Sequence, residues 1–310
     1  MRFKPSEALR FLGGLAAAVV VLGFVVLRVT SCAPLPAPNP HAVAPFQPPP
    51  RAEGPPSASA CQEGPAPAAE ANARSLRTLS WQPFGRPEFG WETYAPLIAR
   101  EIGTGCGPET PGFASALAVW QGRQQLTADG ILTDPVFARL KGVIQLRRPT
   151  VQLSIQHICP DAPPENRLAW ATPAEGYAGK AIEVRPAALA AYRRMVAAAK
   201  ADDARIAADP RNLTIFSGFR SPASDAARCA AEGNCNGIVR AACSPHRTGL
   251  AFDIYVGQAP GLEPDSSADP NRLFMSRTPA YRWLVTHADR FGFTPYPFEP
   301  WHWEWTGESP

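Results

Sequence analysis

The chain has 310 residues, of which 36 are proline, and its formal net charge is +3. The length predicts about two domains plus additional segments, and proline is more than twice as frequent as its usual share of about 5%. A nearly neutral charge argues against a broad polycationic surface, so no nucleic-acid partner is expected.

The N-terminus has the pattern of an export signal. Basic residues precede an unbroken apolar run over residues 11–27, and Arg28 follows it. This order is typical of exported proteins, and the run is at the short limit for a membrane-spanning helix. The last residues before Cys32 resemble a bacterial lipobox, which would make Cys32 a lipidated N-terminus, whereas Arg28 favours an uncleaved anchor over residues 11–29. Residues 1–32 are therefore predicted to be a signal anchor or a lipoprotein signal, which tethers the chain to a membrane in the cell envelope, on the periplasmic side.

The cysteine content agrees with export. Six cysteines follow Cys32, and an even number in an exported protein predicts disulfides, although six cysteines allow fifteen pairings. They are Cys61, Cys106, Cys159, Cys229, Cys235 and Cys243. The last three are close enough in sequence for one pair to staple the loop that leads into His246. No CxxC pair occurs, which argues against a zinc cluster of thiolates.

Two regions precede the C-terminal half. Residues 33–79 are rich in Pro, Ala, Ser and Gly and poor in large apolar residues, so they are predicted to be an extended linker. Residues 80–148 are predicted to form a small all-α domain, in which Phe113, Leu117 and Trp120 share a helical face. The order of a helix ending in Trp–Gln, then Leu-x-x-Asp-Gly, then a short helix resembles the peptidoglycan-binding module of bacterial wall hydrolases. A packing domain without a ligand is the alternative.

Residues 150–310 mix both kinds of secondary structure. Strands are predicted at 181–184, 213–216, 250–256 and 301–305, and helices at 186–208, 222–231 and 278–291. Elements that interleave in this way predict an α+β domain with a mostly antiparallel sheet.

A candidate metal site combines His246, Asp253 and His302. Two neutral imidazoles and one carboxylate make a three-ligand zinc shell with an open position, which is the form that catalytic zinc uses. Strand alternation puts Asp253 on the face away from the core, and Gly249 can supply the turn that brings His246 round to it. His302 also faces away from the tryptophans beside it, and so does Glu304. Spacing alone does not decide whether Glu299 or Glu304 reaches water at the metal.

The combined motif resembles a known family. Ser-x-His-x-x-Gly-x-Ala-x-Asp, then Glu-x-Trp-His, with Ser-Gly-Phe-Arg-Ser upstream, is similar to the VanY-type D-alanyl-D-alanine carboxypeptidases. These are zinc D,D-peptidases in a group that includes Hedgehog-like domains, and the resemblance covers residues 213–305. It implies a D,D-peptidase fold in which His246, Asp253 and His302 are the zinc ligands and Glu299 is the general base. Arg220 would contact the substrate and support catalysis, and Ser244 would orient the substrate or a ligand.

The predicted function is zinc-dependent hydrolysis of D-Ala-D-Ala-type bonds in peptidoglycan stem peptides, as part of cell-wall remodelling. Two alternatives stay open: a D,D-endopeptidase that cuts wall cross-links, and a non-catalytic wall-binding protein with a structural zinc site. Glu299 favours an enzyme, because a structural site needs no base. Neither Ser-x-x-Lys nor Gly-x-Ser-x-Gly occurs, which disfavours a serine mechanism. The other histidines, His41, His157 and His287, are predicted to be packed or surface residues.

Overall fold

The computed structural model describes residues 59–231, 233, 235 and 243–310. The predicted export signal, Cys32, His41 and the first part of the predicted linker lie outside these residues. Within them, no helix is both long and apolar enough to cross a bilayer.

The secondary structure of the described chain comprises helices and short strands. The helices are α1 (Ala66–Thr78), α2 (Ala95–Ile102), α3 (Pro111–Arg123), α4 (Asp134–Gln145), α5 (Pro149–Ile155), α6 (Pro186–Asp202), α7 (Ala204–Ala208), α8 (Pro222–Ala231), α9 (Asp269–Arg277) and α10 (Pro279–His287). The strands are β1 (Ser80–Trp81), β2 (Glu88–Phe89), β3 (Ala169–Trp170), β4 (Glu183–Val184), β5 (Ile215–Ser217), β6 (Ala251–Ile254), β7 (Phe293–Tyr296) and β8 (Glu299–Trp305).

A four-stranded antiparallel sheet in the order β5-β6-β8-β7 organises the C-terminal region. Phe252 on β6 faces Trp303 on β8, and both are buried in the core. Tyr192 of α6 stacks on Phe252 with ring centroids 5.7 Å apart. Alternate apolar side chains of the central strands therefore pack against helices, which confirms the predicted α+β architecture and the predicted core role of the tryptophans.

The predicted linker is wrong at its C-terminal end. Residues 66–78 form α1, whose Leu76 is buried in the same apolar cluster as Phe113. Asn72 donates to the Gly130 carbonyl (2.8 Å) and accepts from the Leu132 amide (2.8 Å). An alanine-rich segment has little apolar surface of its own, so this helix depends on tertiary contacts that composition does not reveal.

The helical region before residue 150 is not a separate all-α body. The helices predicted around Phe113 and after Asp134 are α3 and α4, but the region also contains the β1-β2 hairpin. Its apolar cluster continues into Tyr296 and Phe298 of the C-terminal sheet region. This shared core joins the helices to the sheet and places α4 and α5 beside β7 and β8.

Several predicted boundaries change in the C-terminal region, and the strand predicted at 250–256 is Ala251–Ile254. The helix predicted to reach residue 208 ends at Asp202, because the extended backbone of Asp203 interrupts it and the Asp203 carboxylate caps α7. Strand β5 begins at Ile215, since Leu213 has a positive φ of 67°. The strand predicted at 181–184 is shortened to Glu183–Val184.

Candidate metal centre

His246 lies in a single 3₁₀ turn, Pro245–Thr248, and neighbouring residues cap both of its ends. The Ser244 hydroxyl caps its start by accepting from the His246 amide at 3.2 Å. Gly249 ends it with φ 69°, in the left-handed region that favours glycine. The chain then enters β6, so the predicted glycine turn between His246 and Asp253 is confirmed.

Asp253 and His302 are brought together by strand register. They lie directly opposite each other on β6 and β8, and His302 Nδ1 is 2.9 Å from Asp253 Oδ1. His246 Nε2 approaches the other carboxylate oxygen, Oδ2, at 3.2 Å. All three side chains are buried, and one potential ligand atom from each lies within 4.8 Å of the others.

The donor set fits a divalent metal ion. His246 Nδ1 is 2.7 Å from the Gly218 carbonyl, which can only accept, so this nitrogen carries the proton and Nε2 presents a lone pair. In the neutral ring, that lone pair faces a carboxylate oxygen 3.2 Å away, and a metal ion bound between the two acceptors would relieve their repulsion. Tetrahedral zinc with bonds of about 2.0–2.1 Å would hold its ligand atoms about 3.3 Å apart. The three residues are therefore suited to zinc.

The charges of the three groups are set by burial and by one another. Burial lowers the pKa of His246, and Arg220 adds to this effect. Burial acts in the same direction on His302, but the carboxylates of Asp253 and Glu304 raise its pKa to about 9. The pKa of Asp253 lies well below its usual range because the two histidines outweigh the effect of burial. Asp253 is thus ionised at neutral pH, and metal binding would release a proton from His302.

Glu299 and Glu304 occupy different sides of the His302 ring. Glu299 Oε2 is 4.0 Å from Nδ1, the nitrogen that faces Asp253. Glu304 Oε1 is 3.5 Å from Nε2, the nitrogen that faces away from Asp253. Of the two acids that spacing alone left open, Glu299 is therefore the one on the metal side.

Arg220 lies beside the three metal-binding candidates, and polar side chains hold its guanidinium in place. Its guanidinium donates to Asp225 at 2.8 Å, to Ser217 at 2.7 Å and to Ser244 at 2.9 Å. Nη1 is 3.8 Å from Asp253 Oδ2. The predicted proximity of Arg220 and Ser244 to the site is thus present in the structure.

Sequence reasoning missed two groups of side chains at this site. Ser217 and Asp225 hold Arg220. Ser217 is the first residue of the Ser-Gly-Phe-Arg-Ser motif and Asp225 follows the motif closely, which was the available signal. Arg148 and Thr150 hold Glu304 from far away in the chain, and no local pattern indicates them. The other described histidines agree with prediction, since His157 is exposed and His287 stacks on Trp283.

Two of the disulfides among the described residues involve the segment that leads into His246. The predicted disulfide formation is observed as pairs Cys61–Cys106, Cys159–Cys243 and Cys229–Cys235. Cys243 immediately precedes Ser244, so its link to Cys159 anchors the start of the His246 turn. Cys229 at the end of α8 is joined to Cys235, as expected for a staple in the segment leading to His246.

Two buried imidazoles and a carboxylate on an antiparallel α+β sheet define a candidate metallohydrolase. Residues 181–308, the VanY-type segment, match the model of the VanY family, whose description is D-alanyl-D-alanine carboxypeptidase. A search of curated proteins gave no match. A similar solved structure is a variant of the vancomycin-resistance D,D-pentapeptidase VanY from a VanB-type resistance cassette, in complex with Zn(II). It is 20% identical over 47% of this chain and 83% of that chain, with a TM-score of 0.28, and it adds no further support for the site.

Proposed function

We propose that this protein is a zinc-dependent D,D-peptidase that hydrolyses D-Ala-D-Ala-type bonds in peptidoglycan stem peptides. The observation that carries the proposal is the convergence of His246, Asp253 and His302 inside the VanY-type segment. Three protein ligands leave a coordination position open, which is typical of catalytic zinc, whereas structural zinc is closed by four.

The residues around the cluster suit peptide hydrolysis. Zinc at this site would supply Lewis acidity toward water and the scissile carbonyl. Glu299, on the metal side of His302, would accept a proton from the attacking water and deliver it to the leaving amine as the C–N bond breaks. Arg220, held 3.8 Å from Asp253, would bind the terminal carboxylate of the stem peptide or stabilise the developing oxyanion.

The contacts of Arg220 leave N–H donors that could bind a substrate carboxylate. A guanidinium has five N–H donors, and three hydrogen bonds hold Arg220 to Asp225, Ser217 and Ser244. The other N–H groups are available to the free carboxylate that ends a D-Ala-D-Ala stem. A D,D cross-link to diaminopimelate also carries a carboxylate beside the cleaved bond, so this contact suits both activities, and the endopeptidase activity is the second candidate.

We also propose that the enzyme works outside the cytoplasm, tethered to a membrane through its N-terminal segment. The disulfides among the described cysteines support an oxidising compartment. Wall binding by residues 80–148, and anchoring by residues 11–29 or lipidated Cys32, stay predictions.

The proposed reaction is tested with a pentapeptide that ends in D-Ala-D-Ala. We expect the purified, zinc-loaded protein to release D-alanine, a chelator to abolish release, and Glu299→Gln to lower kcat at least about 100-fold with unchanged zinc content. Glu70→Gln, on an exposed position of α1, is the matched control and should keep full activity. Release that survives Glu299→Gln would refute the role of Glu299, and no release by the wild type would refute the proposed carboxypeptidase.

Mass spectrometry of digested whole wall separates the two candidate activities. A carboxypeptidase shortens stem peptides by one D-alanine and leaves cross-links intact. Loss of cross-linked dimers without release of free D-alanine would instead assign the endopeptidase. A folded protein that binds zinc and changes neither product would support the non-catalytic alternative.

A further inference from the structure

Glu304 is a buried carboxylate held by residues from outside the VanY-type segment. Its side chain is 2% exposed. Arg148 Nε donates to Oε1 at 2.7 Å and Arg148 Nη2 lies 2.6 Å from the same oxygen. Oε2 accepts from the Thr150 hydroxyl at 2.6 Å and the Thr150 amide at 3.3 Å. Both oxygens of the Glu304 carboxylate are thus held by residues outside the VanY-type segment.

The same carboxylate faces the outer nitrogen of His302. His302 Nε2 is buried without a hydrogen bond, and Glu304 Oε1 lies 3.5 Å from it. Glu304 and His302 project from the same face of β8, because they are two residues apart in a strand. A metal-binding histidine commonly donates its second N–H to a carboxylate, which fixes the tautomer and the ring orientation. An acceptor at Nε2 leaves the Nδ1 lone pair for the metal.

Arg148 is itself fixed from two sides. It lies between α4 and α5, and Arg148 Nη1 donates to the Gln145 side chain on α4 at 2.7 Å. Its guanidinium covers the Tyr296 ring at 4.1 Å from the centroid. The Tyr296 ring in turn meets the His302 ring edge to face at 6.0 Å. The helical region thus reaches the metal centre through both a charge pair and an aromatic contact.

We propose that Arg148 is a positioning residue of the metal centre: Arg148 and Thr150 orient Glu304, and Glu304 holds His302 in the tautomer that binds zinc. This inference rests on the proposed zinc site, but not on the identity of the substrate. The helical region before residue 150 is then a structural part of the active site, in addition to any wall-binding role.

The test measures zinc affinity of the full chain by competition with a chromophoric chelator. We expect Arg148→Met and Glu304→Gln each to weaken zinc binding by about 10- to 100-fold. Arg148→Lys should restore part of the loss because it keeps the charge but not the paired contacts. In the Co²⁺-loaded protein, Arg148→Met should also shift the visible absorption bands, which report on the ligand field of the metal. The double variant should lose no more than the worse single variant, because both act through His302.

Arg100→Met is the matched control. Arg100 Nη2 forms an ion pair with Asp289 Oδ2 at 2.5 Å, which also joins the helical region to the C-terminal region without touching the metal residues. If loosening this junction were the cause, Arg100→Met would weaken zinc binding equally, and that result would overturn the proposal. Thr150→Val removes one neutral donor to Glu304, so it remains informative if Arg148→Met does not fold, and we expect a smaller but measurable loss.

Affinities of folded Arg148→Met and Thr150→Val within twofold of the wild type would also overturn the proposal. Failure of the proposed reaction would give a different result from failure of the role of Arg148. A wild-type protein that binds zinc tightly but cleaves no D-Ala-D-Ala peptide refutes the reaction, while the comparison of zinc affinities still decides the role of Arg148.

Discussion

Replacement of Gly249 with alanine should weaken both the fold and the metal centre. Gly249 has φ 69°, and a residue with a Cβ loses about 1–2 kcal/mol in this left-handed conformation. The added Cβ would also lie 3.0 Å from Leu168 Cδ2 and 3.2 Å from Arg185 Cγ, so both side chains must shift. We expect the free energy of unfolding to fall by about 2 kcal/mol. Zinc affinity should fall as well, because this turn sets His246 against Asp253.

Gly103→Ala is the matched control for the backbone cost. Gly103 follows α2 with φ 79°, and a Cβ built there has no atom within 4 Å. Urea unfolding of both variants separates the conformational cost from the steric one, and chelator competition measures zinc affinity. Gly103→Ala should lose about 1 kcal/mol and keep wild-type zinc binding. The role assigned to Gly249 would be refuted if Gly249→Ala bound zinc as tightly as the wild type and lost no more stability than Gly103→Ala.

The remaining predictions concern stability. Glu175→Gln should cost about 1 kcal/mol at pH 7 after allowance for solvent screening, because Arg193 lowers the pKa of Glu175 from 4.5 to about 2. A depressed folded-state pKa stabilises the fold above pH 4.5 and loses its effect as the pH falls toward 2. Urea unfolding should therefore show a difference that vanishes near pH 2, and a constant difference would contradict this cause. Replacement of Cys159 and Cys243 by serine should cost about 2–4 kcal/mol, since their disulfide spans 84 residues; an unchanged thermal midpoint would contradict it.

Local sequence patterns determined much of the C-terminal fold. Pro186 at a first helical turn, with apolar residues at helical spacing, marked the start of α6. Alternation in residues 301–305 assigned the tryptophans to the core and His302 with Glu304 to the opposite face, as observed. These properties depend on the periods of the helix and the strand, which any short stretch of sequence displays.

The sequence also determined which residues compose the candidate metal site, because the spacing of His246, Gly249 and Asp253 contains its own turn. Only the tertiary structure decided which acid lies on the metal side. Glu299 and Glu304 are both close to His302 in sequence, and the orientation of the ring between them distinguishes their positions.

Contacts between distant parts of the chain were also decided only by the fold. Helix α1 lies in a segment whose composition predicted a linker, and it is held by Asn72, which bonds to residues about 60 positions away. Arg148 reaches Glu304 across 156 positions. An arginine next to a proline carries no local signal of its partner, because ion pairing depends on which surfaces meet when the core closes. The chemistry of the site is therefore local in sequence, whereas the support of its histidine comes from the packing of the whole described chain.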